Sequence, residues 1–170
     1  MEERELILNF LKDNDIPHEI YTHEICNTIA EKEALDKRLG ISARHCKNIF
    51  LTDRKKEKFF LLTMPFEKTF RTAEVSKELK SSRLSFAPDD MMWEKVRTHS
   101  GSLSALCLIF DKKEEVGFAL DADLLKEEAL CFHPADNTTT VVIKTSVCLS
   151  TLFPKLHKTP TFVTVTCPTE

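Results

Sequence analysis

Three short clusters in this chain of 170 residues combine residue types that can do chemistry. The first is His45-Cys46-Lys47-Asn48, directly before an apolar run. A lysine at the base of a strand, beside an amide side chain, offers a cation and a paired donor and acceptor to a bound anion. His45 and Cys46 do not form a nucleophile pair, because adjacent side chains on an extended chain point to opposite faces. A partly buried Cys46 and an exposed His45 are expected instead. The second cluster is Ser100-Gly101-Ser102-Leu103-Ser104. Its glycine and hydroxyls make either a plain turn or a loop whose backbone amides approach a ligand closely. It lacks the second glycine and the strand-before-helix setting of a nucleophile elbow, which argues against a serine hydrolase. The third is Cys131-Phe132-His133-Pro134-Ala135-Asp136-Asn137-Thr138. A histidine fixed by a following proline can transfer or share a proton near neutral pH, or simply be a satisfied structural residue. No further ligand at zinc spacing accompanies Cys131 and His133, so no metal is expected.

Charge is distributed unevenly. The chain has 24 Lys and Arg against 27 Asp and Glu, a formal charge of −3. Between Asp36 and Lys58, however, the basic residues Lys37, Arg38, Arg44, Lys47, Arg54, Lys55, Lys56 and Lys58 face only Asp36, Asp53 and Glu57. A basic patch on an acidic body can bind a polyanion while the bulk charge limits non-specific adhesion. Alone, Arg54 to Lys58 reads equally well as a solvated turn. The candidate lysine of the first cluster lies inside this window.

The elements that must position these clusters follow from periodicity and breakers. Leu6, Ile7, Phe10 and Leu11 recur at helical spacing before Asp13 and Pro17 end the segment, and His18 to Thr22 is extended. Thr28 and Glu31 form a capping box for a helix that turns Ala30, Ala34, Leu35 and Leu39 inward and stops at Gly40. Asn48–Thr52 and Phe59–Met64 around a charged turn predict a hairpin, and Leu106–Phe110 with Val116–Leu120 predict a second. Helices are expected over Thr72–Lys80, from Pro88 through Val96, over Asp121–Glu128 and over Ser146–Leu152. Short strands are expected at Leu84–Phe86, Leu130–Phe132, Thr139–Lys144 and Phe162–Thr166. Helices and hairpins intermix, so the fold class is α+β: one domain over residues 1–170, with a mixed, mostly antiparallel sheet flanked by helices.

Composition narrows the chemistry. With 42% hydrophobic and 30% charged residues the chain is globular, and its 3 glycines stand too far apart for a dinucleotide or phosphate cradle. The start, Met1-Glu2-Glu3-Arg4-Glu5, is not the basic opening of a secretory signal, and no apolar run approaches ~18 residues. A soluble, cytoplasmic protein is expected. Cys26, Cys46, Cys107, Cys131, Cys148 and Cys167 include no CxxC, so reduced thiols are expected rather than disulfides.

Taken in order, these pieces resemble the YbaK/prolyl-tRNA-synthetase-associated editing domain family, in particular its free-standing prolyl-tRNA editing proteins. The likeness runs from Glu5 to Leu152. It is carried by Lys47-Asn48-Ile49-Phe50-Leu51 with Phe59-Phe60-Leu61, by Arg83-Leu84-Ser85-Phe86-Ala87 and by Gly101-Ser102-Leu103-Ser104. Further on it rests on Phe132-His133-Pro134 with Asn137-Thr138-Thr139. The resemblance implies a hydrolase that cleaves the ester of mischarged tRNA(Pro) in trans, with alanine as the expected amino acid. It implies no metal and no cofactor. Lys47, Asn48 and His133 correspond to the family's functional residues, Gly101 to Ser104 to its substrate loop, and Pro134 to its pocket. On this reading the basic residues Lys37, Arg38, Arg44, Arg54, Lys55, Lys56 and Lys58 meet the acceptor stem, and prolyl-tRNA synthetase is a conceivable partner.

One departure bears on specificity: the family loop carries a proline where this chain has Ala105. Ala135-Asp136 after His133-Pro134 also differs from the commonest form. Cysteine or serine as the amino acid removed, a non-catalytic tRNA-binding domain, and a module that docks on a synthetase all stay open.

Overall fold

The structure, a computed structural model, describes residues 2–166. The chain opens with α1 (Glu3–Asp13), β1 (Glu19–Thr22) and α2 (Ile29–Leu39), followed by the hairpin β2 (Cys46–Thr52) and β3 (Phe59–Pro65). Next come α3 (Thr72–Glu78), β4 (Ser85–Phe86), α4 (Asp89–Val96), a 3₁₀ segment (Ala105–Phe110) and β5 (Val116–Asp121). A second 3₁₀ segment (Ala122–Lys126) precedes β6 (Ala129–Phe132) and β7 (Thr139–Lys144). Helical turns over Thr145–Val147, Cys148–Leu152 and Phe153–Lys155 then lead to β8 (Thr161–Val163).

The α+β class holds, but the strands divide into two sheets. One has the order β1-β7-β6 and is antiparallel throughout. The other has the order β4-β2-β3-β5-β8, in which β3-β5 and β5-β8 are parallel. The five-stranded sheet is buried on both faces, which explains the unbroken apolar runs of β2 and β3. Phe50, Phe59 and Leu61 pack with Ile7 and Leu11 of α1, Met92 and Val96 of α4, and Phe132 and Val141 of the smaller sheet. Ile49, Leu51, Leu62 and Met64 pack on the opposite side with Val75 of α3, Leu84 and Val163.

The second predicted hairpin does not exist. Residues 105–110 are a 3₁₀ turn capped by Ser104, whose Oγ accepts from the Leu106 amide at 3.2 Å, and β5 pairs in parallel with β3. Ala105, Leu106, Cys107 and Leu108 are all buried, and a short run buried on every side carries no period that separates strand from helix. The helix expected at Asp121–Glu128 is likewise a short 3₁₀ turn, and that expected at Ser146–Leu152 includes a π turn and continues to Lys155. Residues expected to extend the last strand to Thr166 lie beyond β8.

The capping box at α2 is present, with Thr28 Oγ1 accepting from the Glu31 amide at 3.1 Å and Glu31 Oε2 accepting from the Thr28 amide at 3.2 Å. Gly40 closes the helix at φ 73°, the left-handed value its lack of a Cβ allows. Ala30 and Ala34 are exposed, however, and only Leu35 is buried, so α2 lies against the body by a narrow edge.

Five thiols are free, and Cys167 lies outside the described residues. Burial holds the Cys46 thiol up to about 12 and the Cys107 thiol up to about 11, so neither is a thiolate near neutral pH. Among the described residues no helix is long and apolar enough to cross a membrane.

Candidate active site

β2 delivers the first cluster. Its register sets Asn48 opposite Thr63 and Lys47 opposite Met64 on β3. Thr63 Oγ1 donates to Asn48 Oδ1 at 2.7 Å, which fixes the amide and leaves its N–H groups available to a ligand. Lys47 Nζ donates to the backbone carbonyl of Lys68 at 2.5 Å, and partial burial lowers its pKa. Lys68 is itself buried, its ammonium held 2.9 Å from Asp121 Oδ2 and 2.7 Å from Asp123 Oδ2. Burial opposes that charge, but the two carboxylates outweigh it and raise the pKa.

The second cluster is a turn closed by the Ser102 amide donating to the His99 carbonyl at 3.1 Å. Gly101 holds φ 95° within it, a conformation that other residues rarely adopt, although a Cβ there would meet nothing within 4 Å. The third cluster follows β6. His133 Nδ1 lies 3.0 Å from the Thr139 carbonyl; a carbonyl only accepts, so Nδ1 carries the proton and Nε2 is an acceptor. Burial pushes the His133 pKa down to about 4, against the Thr139 bond that favours the charged form. The imidazole is therefore neutral in the physiological range and too weak a base to need invoking as one. Asp136 shapes the loop beyond it, accepting from the Thr138 amide at 2.8 Å and from Arg4 Nη1 at 2.9 Å.

Lys47, Asn48, Gly101, Leu103 and His133 all line one pocket of about 190 Å³. Three sequence segments separated by some fifty and thirty residues thus meet at one place. Not every candidate reaches it. Ser104 is buried, and its hydroxyl donates to the His133 carbonyl, joining two of the clusters behind the pocket wall. Ser102 and Pro134 also lie outside the lining. Larger concavities elsewhere, such as the one lined by His18, Glu19, Tyr21, Glu128 and Lys144, also carry polar groups but none of the residues of the three clusters.

Sequence reasoning missed Lys32. It projects from α2 into the pocket, donates to the Cys26 carbonyl at 3.2 Å and stands 4.9 Å from the Phe66 ring centre. Asn27 and Asn137 complete the polar lining. Lys32 lies just before the basic window, on a helix whose exposed alanines give no sign of which face turns inward.

The basic window itself is not one surface. Arg54, Lys55, Lys56 and Lys58 occupy the far turn of the β2-β3 hairpin, whereas Lys47 sits at its opposite end, about 20 Å away at ~3.3 Å per residue. Arg38 pairs with Glu24 at 2.7 Å, and Arg44 pairs with Glu67. His45 is half-buried rather than exposed, with Nε2 2.6 Å from Asp36 Oδ1, a contact that ties α2 to the start of β2. Among the described residues no three His, Cys, Asp or Glu side chains gather as metal ligands.

Comparison with known proteins places this geometry in a family. Residues 26–149 match the aminoacyl-tRNA editing domain. The chain is 31% identical over 142 residues to the prolyl-tRNA synthetase associated domain-containing protein 1 of Xenopus laevis, covering 81% of this chain and 83% of that one. It is 25% identical over 143 residues to the prolyl-tRNA editing protein ProX of Acetoanaerobium sticklandii, covering 84% and 86% respectively. A solved structure described as a candidate trans-editing enzyme for prolyl tRNA synthetase superposes with a TM-score of 0.71 over 96% of this chain and 98% of that one, at 10% identity. The match spans all three clusters, and the chain belongs to the aminoacyl-tRNA editing domain family.

Proposed function

We propose that the protein is a trans-acting deacylase that hydrolyses the ester of mischarged tRNA(Pro), with alanine as the amino acid removed. The observation that carries this reading is the meeting of Lys47, Asn48, Gly101 and His133 around one small pocket. At about 190 Å³ that pocket is below the ~300–1,000 Å³ usual for ligand sites, which favours a small aminoacyl group. The need for such an enzyme is physical: a synthetase pocket built for a larger apolar side chain rejects a smaller one by only about 10–200-fold.

The chemistry assigned to the site is addition of water to the ester carbonyl, followed by cleavage of the bond to the terminal ribose oxygen. Of the water's two protons one goes to the ribose oxygen and the other is released to solvent, and the free amino acid leaves as its carboxylate. Lys47 keeps N–H groups beyond the one given to Lys68, and its ammonium stabilises the charge that develops on the carbonyl oxygen. Asn48 orients the ribose or the α-amino group through its free N–H pair. The amides around Gly101 hold the aminoacyl portion, and His133 accepts a hydrogen bond at Nε2. With no carboxylate among the described residues of the pocket lining and His133 too weak a base, the ribose hydroxyl beside the ester positions the attacking water. Lys32, which lines the pocket, and Arg44, which lines a neighbouring hollow with it, meet the acceptor stem together with Lys37 and Arg38 of α2, and the hairpin tip at Arg54 to Lys58 contributes less.

Deacylation of alanyl-tRNA(Pro), measured beside prolyl-, cysteinyl- and seryl-tRNA, tests this reading. Turnover of the alanyl ester well above spontaneous hydrolysis, lost in Lys47→Ala, is the expected result. No turnover of any of the four overturns it. Ala105 favours a second reading of the specificity, since a looser loop than the family's proline form can admit cysteine or serine.

A further inference from the structure

Two residues before Gly101 the chain carries an exposed aromatic stack that the pocket does not use. Trp93, on α4, lies against the His99 ring with centroids 5.1 Å apart and planes 10° from parallel. The guanidinium of Arg97 lies 5.8 Å from the Trp93 ring centre. Asp89, at the start of α4, fixes the outer member: its Oδ2 is 2.6 Å from His99 Nδ1, and its Oδ1 accepts from the Ser100 amide at 3.4 Å. His99 remains 61% exposed in its side chain despite these contacts. Exposing an ordered ring of this kind gains nothing for the core.

We infer that the His99-Trp93 stack is a platform for an unpaired nucleobase of the acceptor strand, adjacent to the nucleotide whose ester enters the pocket. The inference rests on the proposed deacylase reading for its occupant. An aminoacyl ester sits on the last nucleotide of a single-stranded tail, so a pocket that takes the ester must lead the preceding bases out along its rim. One rigid turn carries both functions, with Gly101 lining the pocket and His99 at its start, at most about 7 Å apart along the chain. Aromatic faces bind unpaired bases with little regard to sequence, and a guanidinium beside them serves the backbone phosphate. Among the described residues Arg97 forms no ion pair that would occupy it.

The test uses the chain's single tryptophan, Trp93, as its own probe. An unacylated RNA hairpin with an unpaired 3′ tail is titrated in parallel with the same hairpin cut blunt, following both Trp93 fluorescence and anisotropy of a label on the RNA. The expected result is saturable quenching by the tailed RNA only. His99→Ala weakens its binding about 5- to 100-fold, while His99→Phe, which keeps a ring, stays within a few-fold. Equal binding of tailed and blunt RNA, or tailed binding without any change in Trp93 emission, overturns the inference. Deacylation separates the two readings. An active enzyme whose rate on aminoacyl-tRNA is untouched by His99→Ala refutes the platform alone. Tail-dependent quenching by a protein that deacylates nothing refutes the hydrolase alone.

Discussion

The ammonium of Lys47 is bound to the backbone carbonyl of Lys68, at 2.5 Å, and the side chain of Lys68 is locked in turn between Asp121 and Asp123. The position of the candidate catalytic cation is therefore set by a buried ion cluster on the far side of β3. A lysine on a strand end has four rotatable bonds, and this relay removes much of their freedom before a substrate arrives.

Breaking the relay separates stability from chemistry. Lys68→Met leaves Asp121, which has no exposure, without its cation, and about 3–5 kcal/mol of stability is expected to be lost. Lys47→Met removes no buried partner's charge and is expected to shift stability by less than about 1 kcal/mol, while deacylation falls by about 10²-fold or more. Urea denaturation and single-turnover deacylation measure the two effects.

His133 makes stability depend on pH. Its folded pKa, about 4, is below the ordinary value of 6.5, so the unfolded chain binds the proton more tightly. The stability it contributes is whole above 6.5 and drains away as pH falls from 6.5 toward 4, up to about 3 kcal/mol. Denaturation midpoints across that window are expected to flatten in His133→Gln. Because the imidazole stays neutral, the rate of deacylation between pH 6 and 8 is expected to show no His133 titration. At the alkaline end, the lowered pKa of Lys47 predicts that activity fades before an ordinary lysine would lose its proton.

At Gly101 the constraint is conformational rather than steric. Nothing lies within 4 Å of an added Cβ, but φ 95° penalises one by about 1–2 kcal/mol. Gly101→Ala is expected to lower stability by about that amount and to raise KM for the aminoacyl ester. Gly101→Asn, which tolerates positive φ better, is expected to recover part of both.

Ala105 stands where the family loop carries a proline, and the backbone before it suits one. It is the first residue of the 3₁₀ turn, and the preceding Ser104 is extended, at φ −155° and ψ 173°, as a residue before proline prefers. Ala105→Pro is expected to fold with stability changed by no more than about 1 kcal/mol. Its ratio of alanyl to cysteinyl deacylation is expected to rise, and an unchanged ratio would remove this position from the determinants of specificity.

Changing charge at the hairpin tip and at the pocket distinguishes the two basic regions. Lys55→Glu with Lys56→Glu, at the hairpin tip, is expected to weaken tRNA binding about two-fold or less. Lys32→Gln, at the pocket, is expected to weaken it several-fold and to flatten its salt dependence by about one phosphate contact.

The local chemistry of the chain was legible without a structure. The capping box at Thr28 and Glu31, the stop at Gly40, the hairpin around Arg54 to Lys58 and the three clusters around Lys47, Gly101 and His133 rest on short-range rules of capping, turn formation and residue type. What the tertiary structure decided depends on partners distant in sequence. The run from Ala105 to Phe110 is apolar at every position, and only its packing between α4 and the sheets makes it a 3₁₀ turn rather than a strand. Lys32 reaches the pocket because the contact between His45 and Asp36 draws α2 to the start of β2, which no pattern within α2 reveals. The basic window is continuous in sequence and divided in space, since a hairpin carries its turn about a full strand length away from its ends. Residue types fixed which groups were available for chemistry; long-range pairing, which local periodicity does not encode, fixed which of them meet.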